Sequence, residues 1–196
     1  MKTIKPLFCI LGRSGAGKTT LCTALEKSLG IRQIPSYTTR PPRYEGEQGH
    51  TFVTDNQYAR LGNILAENTT TGFKYCVTEK QINNPAYDLY VVDLTGLKML
   101  NKRYRGNRII IPILIDVPLK ERYKRLKNRY YGQYKNTDTA IDMALERIVS
   151  DAVEFNEVEK FCRFVVDNSD GKFQRALSFL ETVIGMGLKG KEVINE

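Results

Sequence analysis

Gly12-Arg13-Ser14-Gly15-Ala16-Gly17-Lys18-Thr19-Thr20 carries the first chemistry in the chain. It reads G-x-x-x-x-G-K-[ST], the P-loop pattern. Its glycines let backbone N–H groups curl around phosphate oxygens. A helix starting at Gly17 and Lys18 turns its positive dipole end to the same place. Lys18 adds a point charge, and the Thr19 hydroxyl takes a magnesium position. The expected ligand is a nucleoside triphosphate, bound by all nine residues. A tight strand–helix turn without a ligand is the bland alternative, and the flanking sequence argues against it. The apolar run Leu7–Leu11 leads in, and an amphipathic helix over 18–29 leads out.

Two further groups of residues could handle phosphate. Arg40 and Arg43 flank Pro41-Pro42, which forbids a helix and stiffens the segment. A pair of arginines on a rigid arm suits bidentate capture of a phosphate. The second group is the basic stretch 120–135. Lys120, Arg122, Lys124, Arg125, Lys127, Arg129 and Lys135 stand there against Glu121 alone. A solvated helix face accounts for such a run unless a mobile anion must be met.

The elements that must position these residues alternate in type. Strands are predicted over Leu7–Leu11, 31–34, 51–53, 87–93, 109–117 and 161–166. A hairpin pairs 64–67 with 73–77. Helices are predicted over 18–29, 55–61 (capped by Thr54 or Asp55), 96–104, 119–129, 138–159 and 171–184. Residues 130–136 read as a polar link without structure, and Gly185 onward as a loose tail. In the helix over 138–159, Ile141, Ala144, Leu145, Ile148, Ala152 and Phe155 form the expected buried stripe. Strands alternating with helices imply an α/β chain with a central parallel sheet and helices on both faces. Asp93 ends one such strand, at the edge where α/β sheets hold ligands.

Bulk properties bound the rest. A chain of 196 residues, 41% hydrophobic, suits a single domain over 1–196 with small insertions. No apolar run is long enough for a signal peptide or a membrane helix, so a cytoplasmic chain without membrane contact is expected. Cys9, Cys22, Cys76 and Cys162 form no C-x-x-C pair, and one histidine is present, which argues against zinc. The net charge of +8 fits small polyphosphates as well as nucleic acid. No recognition helix or aromatic RNA-binding motif is evident, so no specific nucleic-acid partner is expected.

The chain resembles the guanylate kinase family of P-loop nucleoside monophosphate kinases. The resemblance rests on the P-loop followed by Ser36-Tyr37-Thr38-Thr39-Arg40-Pro41-Pro42-Arg43. It continues through Gly46-Glu47, Thr51-Phe52-Val53 and Val92-Asp93-Leu94-Thr95-Gly96. It implies a three-layer P-loop kinase fold. The core would take about 1–34, 84–124 and 148–196, a strand-rich NMP-binding subdomain about 35–83, and a helical lid about 125–147. It implies phosphoryl transfer from ATP to GMP or dGMP with Mg2+, in a monomer or homodimer. Ser36, Arg40, Arg43 and Tyr75 would hold the acceptor phosphate, and Glu67 and Asp93 would read the guanine N1 and N2 donors. Arg125 would bind ATP. Lys18, Arg43, Arg129 and Arg147 would act on the transferring group, and Mg2+ would rest on Thr19 and on Asp93, directly or through water.

Three positions depart from the family. His50 replaces a tyrosine at the acceptor phosphate. Val77 replaces a serine that contacts the base, with Thr78 beside it as a substitute. Val91 replaces the first aspartate of D-x-D. The base end is thinned more than the phosphate end, which leaves room for a same-fold kinase with another phosphorylated acceptor. A non-catalytic interaction domain is the other alternative, and the intact Gly12, Gly17, Lys18 and Thr19 argue against it.

Overall fold

The computed structural model describes residues 5–70 and 72–189. Its central sheet is parallel, in the order β6-β1-β7-β8. These strands are β1 (Leu7–Leu11), β6 (Leu89–Val91), β7 (Ile110–Asp116) and β8 (Phe164–Asp167). β1 lies between β6 and β7 and is buried along its whole length. That is why it reads as an unbroken apolar run rather than an alternating one. One buried cluster joins Leu7, Cys9 and Leu11 to Leu97 and Leu100. Phe8 and Ile10, on the opposite face, pack with Leu21, Leu25, Leu180 and Ile184. The helices supplying these residues are α1 (Lys18–Leu29), α4 (Leu94–Arg103) and α7 (Phe173–Lys189). The sheet is thus covered on both faces, as the alternating pattern predicts.

A second sheet has the order β3-β2-β5-β4. It comprises β2 (Ser36–Thr38), β3 (His50–Phe52), β4 (Ile64–Thr70) and β5 (Phe73–Thr78). The hairpin β4–β5 is longer than the spacing predicts. Helix α2 (Asp55–Ala59) begins in a capping box, with the Thr54 hydroxyl accepting from the Gln57 amide at 3.2 Å. The short helix α3 (Glu79–Asn83) follows β5 directly and has no apolar period to announce it.

The expected strand over 31–34 is reduced to a single bridge, Gln33 to Leu89. Pro35 follows at once and ends the pairing. The expected link over 130–136 is largely helical. α5 (Leu119–Tyr134) runs five residues past Arg129, the last arginine of the basic run, and stops at Lys135, in a left-handed conformation. Asn136 then caps α6 (Thr137–Glu154) through the Thr139 amide at 2.9 Å. α5 and α6 form a helical hairpin, so an arm with a tight turn replaces the structureless hinge. A 3-10 turn over Val158–Phe161 replaces the end of the long helix predicted through 159. α7 continues past Gly185 to Lys189, so the first five residues of the expected loose tail are helical; residues 190–196 lie outside the described residues.

α6 keeps only part of its predicted stripe. Ala144 and Phe155 are buried as expected, but Leu145 and Ala152 are exposed, as are Val149 and Val153, while the charged Asp151 is buried. The inward face of its C-terminal half borders the P-loop rather than an apolar core, so its residues are polar.

Candidate functional site

A cleft of about 660 Å³ separates the two sheets and the α5–α6 hairpin. Gly12, Ser14, Lys18 and Thr19 form one wall, and Ser36, Arg40, Arg43, His50 and Tyr75 form the facing wall. Ala66, Asn68, Thr70, Tyr90, Val91 and Asp93 line one end, and Arg129, Tyr130, Arg147 and Glu154 border it from the hairpin. The two sets of cationic groups therefore share one space.

The P-loop wall follows from close packing. Gly12 has φ 155°, and a Cβ there would sit 2.6 Å from the Ile115 carbonyl oxygen. Gly17 has φ 85° and caps α1, and a Cβ there would meet the Asn168 side chain at 2.6 Å. Both positions therefore require glycine. The Lys18 ammonium folds back onto the carbonyls of Gly12 and Arg13. Burial pulls it down to about 8, against the opposing influence of Asp151. A half-buried cation with no carboxylate in ion-pair contact among the described residues is prepared for an anionic ligand.

Two residues expected at the nucleotide turn elsewhere. Arg13 donates to the Phe155 carbonyl at 3.0 Å and lies 3.8 Å from Asp116 and 3.6 Å from Glu159. Its guanidinium ties the loop to the end of α6. Arg125 bonds the carbonyls of Gly15 at 3.2 Å and Asn168 at 3.0 Å, and Asp170 at 2.7 Å. It braces the loop and does not line the cleft. Thr20 is exposed, and Gly15 and Ala16 support the turn from behind, with Ala16 buried.

The opposite wall is built around Glu47, which the sequence marks only through Gly46-Glu47. Its carboxylate takes Arg40 in a fork, Nη2 to Oε1 at 2.8 Å and Nη1 to Oε2 at 3.1 Å. It also accepts the Arg43 amide at 2.7 Å. Burial pushes the Glu47 carboxyl up, but these bonds prevail and hold it below the usual carboxylate range. Tyr75 accepts from Arg40 Nε at 3.1 Å. The Ser36 hydroxyl meets His50 Nδ1 at 3.0 Å, and the His50 ring lies edge-on to Tyr75 at 5.7 Å.

His50 is half-buried, and burial, with Arg40 and Arg43 nearby, lowers its pKa despite Glu47. The unfolded chain therefore binds the proton first, so His50 favours folding above the usual imidazole value of about 6.5 and loses that contribution as pH falls below it. Because it is the single histidine, its ring resonances report on the site directly. The expected NMR titration midpoint of the free protein lies below about 6.5, and an added nucleoside monophosphate raises it, since a dianion favours imidazolium. A midpoint at or above that value contradicts the assigned environment.

The base end differs from expectation. Glu67 borders the cleft, but its carboxylate pairs with Arg103 of α4 at 3.3 Å and is 45% exposed. Its neighbour on β4, Asn68, donates to Asp93 Oδ2 at 2.5 Å. Side chains alternate across a strand, so the two cannot share a face. The other oxygen of Asp93 accepts the Gly96 amide at 2.6 Å and caps α4. Thr78 is not at the cleft: it is buried as the cap of α3, bonded to Gln81. Val77 is core, while Val91 does line the cleft. Glu154 stands near Asp93, and burial, reinforced by that charge, raises it to about 7. The sequence offered no signal for Glu154 beyond its place seven residues after Arg147.

Of the arginines expected at the transferring group, Arg147 stands beside Ser14, its Nε 2.6 Å from Ser14 Oγ. Arg129 is exposed and lies over the Tyr130 ring at 4.9 Å.

Comparison with known proteins agrees with this geometry. A family model described as an AAA domain matches residues 9–154 and takes in the P-loop. The guanylate kinase of Paraburkholderia xenovorans is 32% identical over 189 residues, covering 91% of this chain and 78% of that protein. The guanylate kinase of Shewanella denitrificans is 28% identical, covering 91% and 86%. The crystal structure of guanylate kinase from Anaplasma phagocytophilum superposes with a TM-score of 0.63 at 20% identity, over 96% of this chain and 88% of that one. With a P-loop domain of the matched type, and with this likeness running through nearly all of its length, the chain belongs to the guanylate kinase family.

Proposed function

We propose that this chain transfers the γ-phosphoryl group of ATP to GMP or dGMP, giving ADP with GDP or dGDP. The observation that carries the reading is the pair of phosphate cradles facing each other across one cleft. Its support from kinship is the family membership above.

Phosphoryl transfer is chiefly positioning and charge neutralisation. The P-loop amides, Lys18 and Thr19 hold the donor phosphates. Ser36, Arg40, Arg43, His50 and Tyr75 hold the acceptor phosphate, with Glu47 orienting both arginines. Arg147 meets the transferring group from the floor of the cleft, and Arg129 reaches it only by leaving Tyr130, as the hairpin closes and excludes water. Among the described residues no cluster of three His, Cys, Asp or Glu side chains forms a metal site of its own. The Thr19 hydroxyl with Asp93 and Glu154 suits a hydrated Mg2+ carried in on ATP, which neutralises phosphate charge. A reducing cytoplasmic location suits the four free thiols, and no helix among the described residues is long and apolar enough to cross a membrane.

Guanine presents N–H donors at N1 and N2, so its reader must offer acceptors. Asn68, whose amide nitrogen is already given to Asp93, offers its carbonyl, and Asp93 offers its carboxylate. Asn68 therefore takes the role that the family resemblance assigns to Glu67. A coupled ADP-release assay over GMP, dGMP, AMP, CMP, UMP and dTMP tests both points. GMP and dGMP are expected to lead; equal rates with the other four refute the guanine assignment. Asn68→Ala is expected to reduce the guanine preference by roughly 10-fold, the size of one lost base contact, and Glu67→Gln to leave it. The opposite outcome returns the role to Glu67.

A further inference from the structure

Asp151 is a fully buried carboxylate on α6, on the same face as Ala140 and Ala144. A charge in such a place needs compensation, and a small apolar residue would satisfy packing more simply. Its compensation comes from two parts of the site. Oδ2 accepts the Ser14 amide of the P-loop at 2.5 Å and lies 3.6 Å from Arg122 Nη1 on α5. Oδ1 accepts the Ser14 hydroxyl at 3.1 Å and lies 3.3 Å from Arg147 Nε. The Ser14 hydroxyl in turn accepts from Arg147 Nε at 2.6 Å.

The order of these bonds is directional. Ser14 has one hydroxyl hydrogen, and Asp151 takes it. The lone pairs of the same oxygen therefore face Arg147 and receive its Nε–H. The guanidinium is gripped along its Nε edge, and its two Nη nitrogens make no hydrogen bond among the described residues. They belong to a side chain that lines the cleft next to Ser14 and Lys18. Arg129, by contrast, is held among the described residues only by its neighbour Tyr130.

We propose that Asp151 is a positioning residue for phosphoryl transfer: through Ser14 it sets Arg147 with both Nη nitrogens towards the transferring group before any nucleotide binds. The proposal rests on the kinase reading above. It divides the cations of the site into a preset one, Arg147, and a delivered one, Arg129. Ground-state placement of this kind favours turnover over binding.

Asp151→Asn keeps the shape and removes the charge. It is expected to lower kcat roughly 10- to 100-fold with the acceptor KM within about twofold. In an Arg147→Ala background the same change is expected to cost less than about threefold, because its effect runs through Arg147. A full loss in both backgrounds overturns the proposal. A second readout does not depend on activity. The Arg147 Nε–H resonance, assigned by its disappearance in Arg147→Ala, is expected to be protected from solvent exchange in the native protein and to lose that protection in Asp151→Asn. Unchanged protection overturns the proposal, whatever the turnover. A native chain that phosphorylates no nucleotide overturns the kinase reading, while this resonance still decides the positioning. Should Asp151→Asn fail to fold, Ser14→Ala cuts the same chain at the hydroxyl without touching a buried charge, with the same outcomes expected.

Discussion

Lys18→Ala is expected to lower turnover by at least ~100-fold, the usual cost of removing one preorganised charge donor. That factor corresponds to about 2.7 kcal/mol of transition-state stabilisation. The Lys18 ammonium is held by two P-loop carbonyls and has no carboxylate in ion-pair contact among the described residues. Burial has already lowered its pKa to about 8, so this charge is kept at a cost to the fold. Two consequences separate function from folding. Thermal stability of Lys18→Ala is expected to stay level or rise, since a desolvated charge is removed. Native stability is expected to rise with pH through about 8, because the unfolded chain holds that proton more tightly, and Lys18→Ala is expected to lose this dependence. Unchanged turnover would remove Lys18 from the mechanism, and a collapse in melting temperature would refute the account of its burial. Steady-state kinetics and thermal denaturation at pH 7 and pH 9 check both.

Arg40→Ala is expected to damage binding and fold together. Arg40 is buried, forked to Glu47, bonded to Tyr75 and set over the Phe52 ring at 5.5 Å. The Glu47 side chain is only 5% exposed. Removing the arginine leaves that carboxylate buried with a single, largely exposed cation, Arg43. Breaking a buried pair from one side costs about 3–5 kcal/mol, which for a chain of this size is a drop of roughly 10 °C in melting temperature. The acceptor loses a charge-assisted hydrogen bond as well, worth roughly 10- to 100-fold in KM. Arg43→Ala, at an exposed residue, is expected to raise the acceptor KM with little change in melting temperature. If the two variants melt alike, Glu47 does not depend on Arg40 in the way the fork implies.

The phosphate chemistry was legible in the chain because local rules produce it. Gly12, Gly17 and Lys18 need only a strand before them and a helix after them, and both announce themselves by period. Arg40 and Arg43 sit on a segment that two prolines stiffen without help from any other element. The parallel sheet followed from the same alternation, since a buried central strand has no choice but to be apolar throughout.

Other features depended on what lies across the gap. Glu67 and Asn68 are adjacent, and only the pairing of β4 with β5 decides which of them faces Asp93. Thr78 looked available to a base until α3 took it as a cap. The stretch 130–136 has little apolar period, and it is helical through Tyr134 because α5 leans on α6. The apolar positions Leu145, Val149 and Val153 face water, and the charged Asp151 is buried. No count of helical period could assign that inversion, because the partner of this face is the P-loop and not a core.

The sequence alone therefore determined that a triphosphate loop, an arginine arm and a parallel α/β sheet belong to one chain, since each follows from contacts between near neighbours. Which side chain of β4 faces Asp93, and which arginine bonds Ser14, follow from side chains far apart in the chain. Their partners are chosen by the packing of one element on another, and that packing is set by the whole fold.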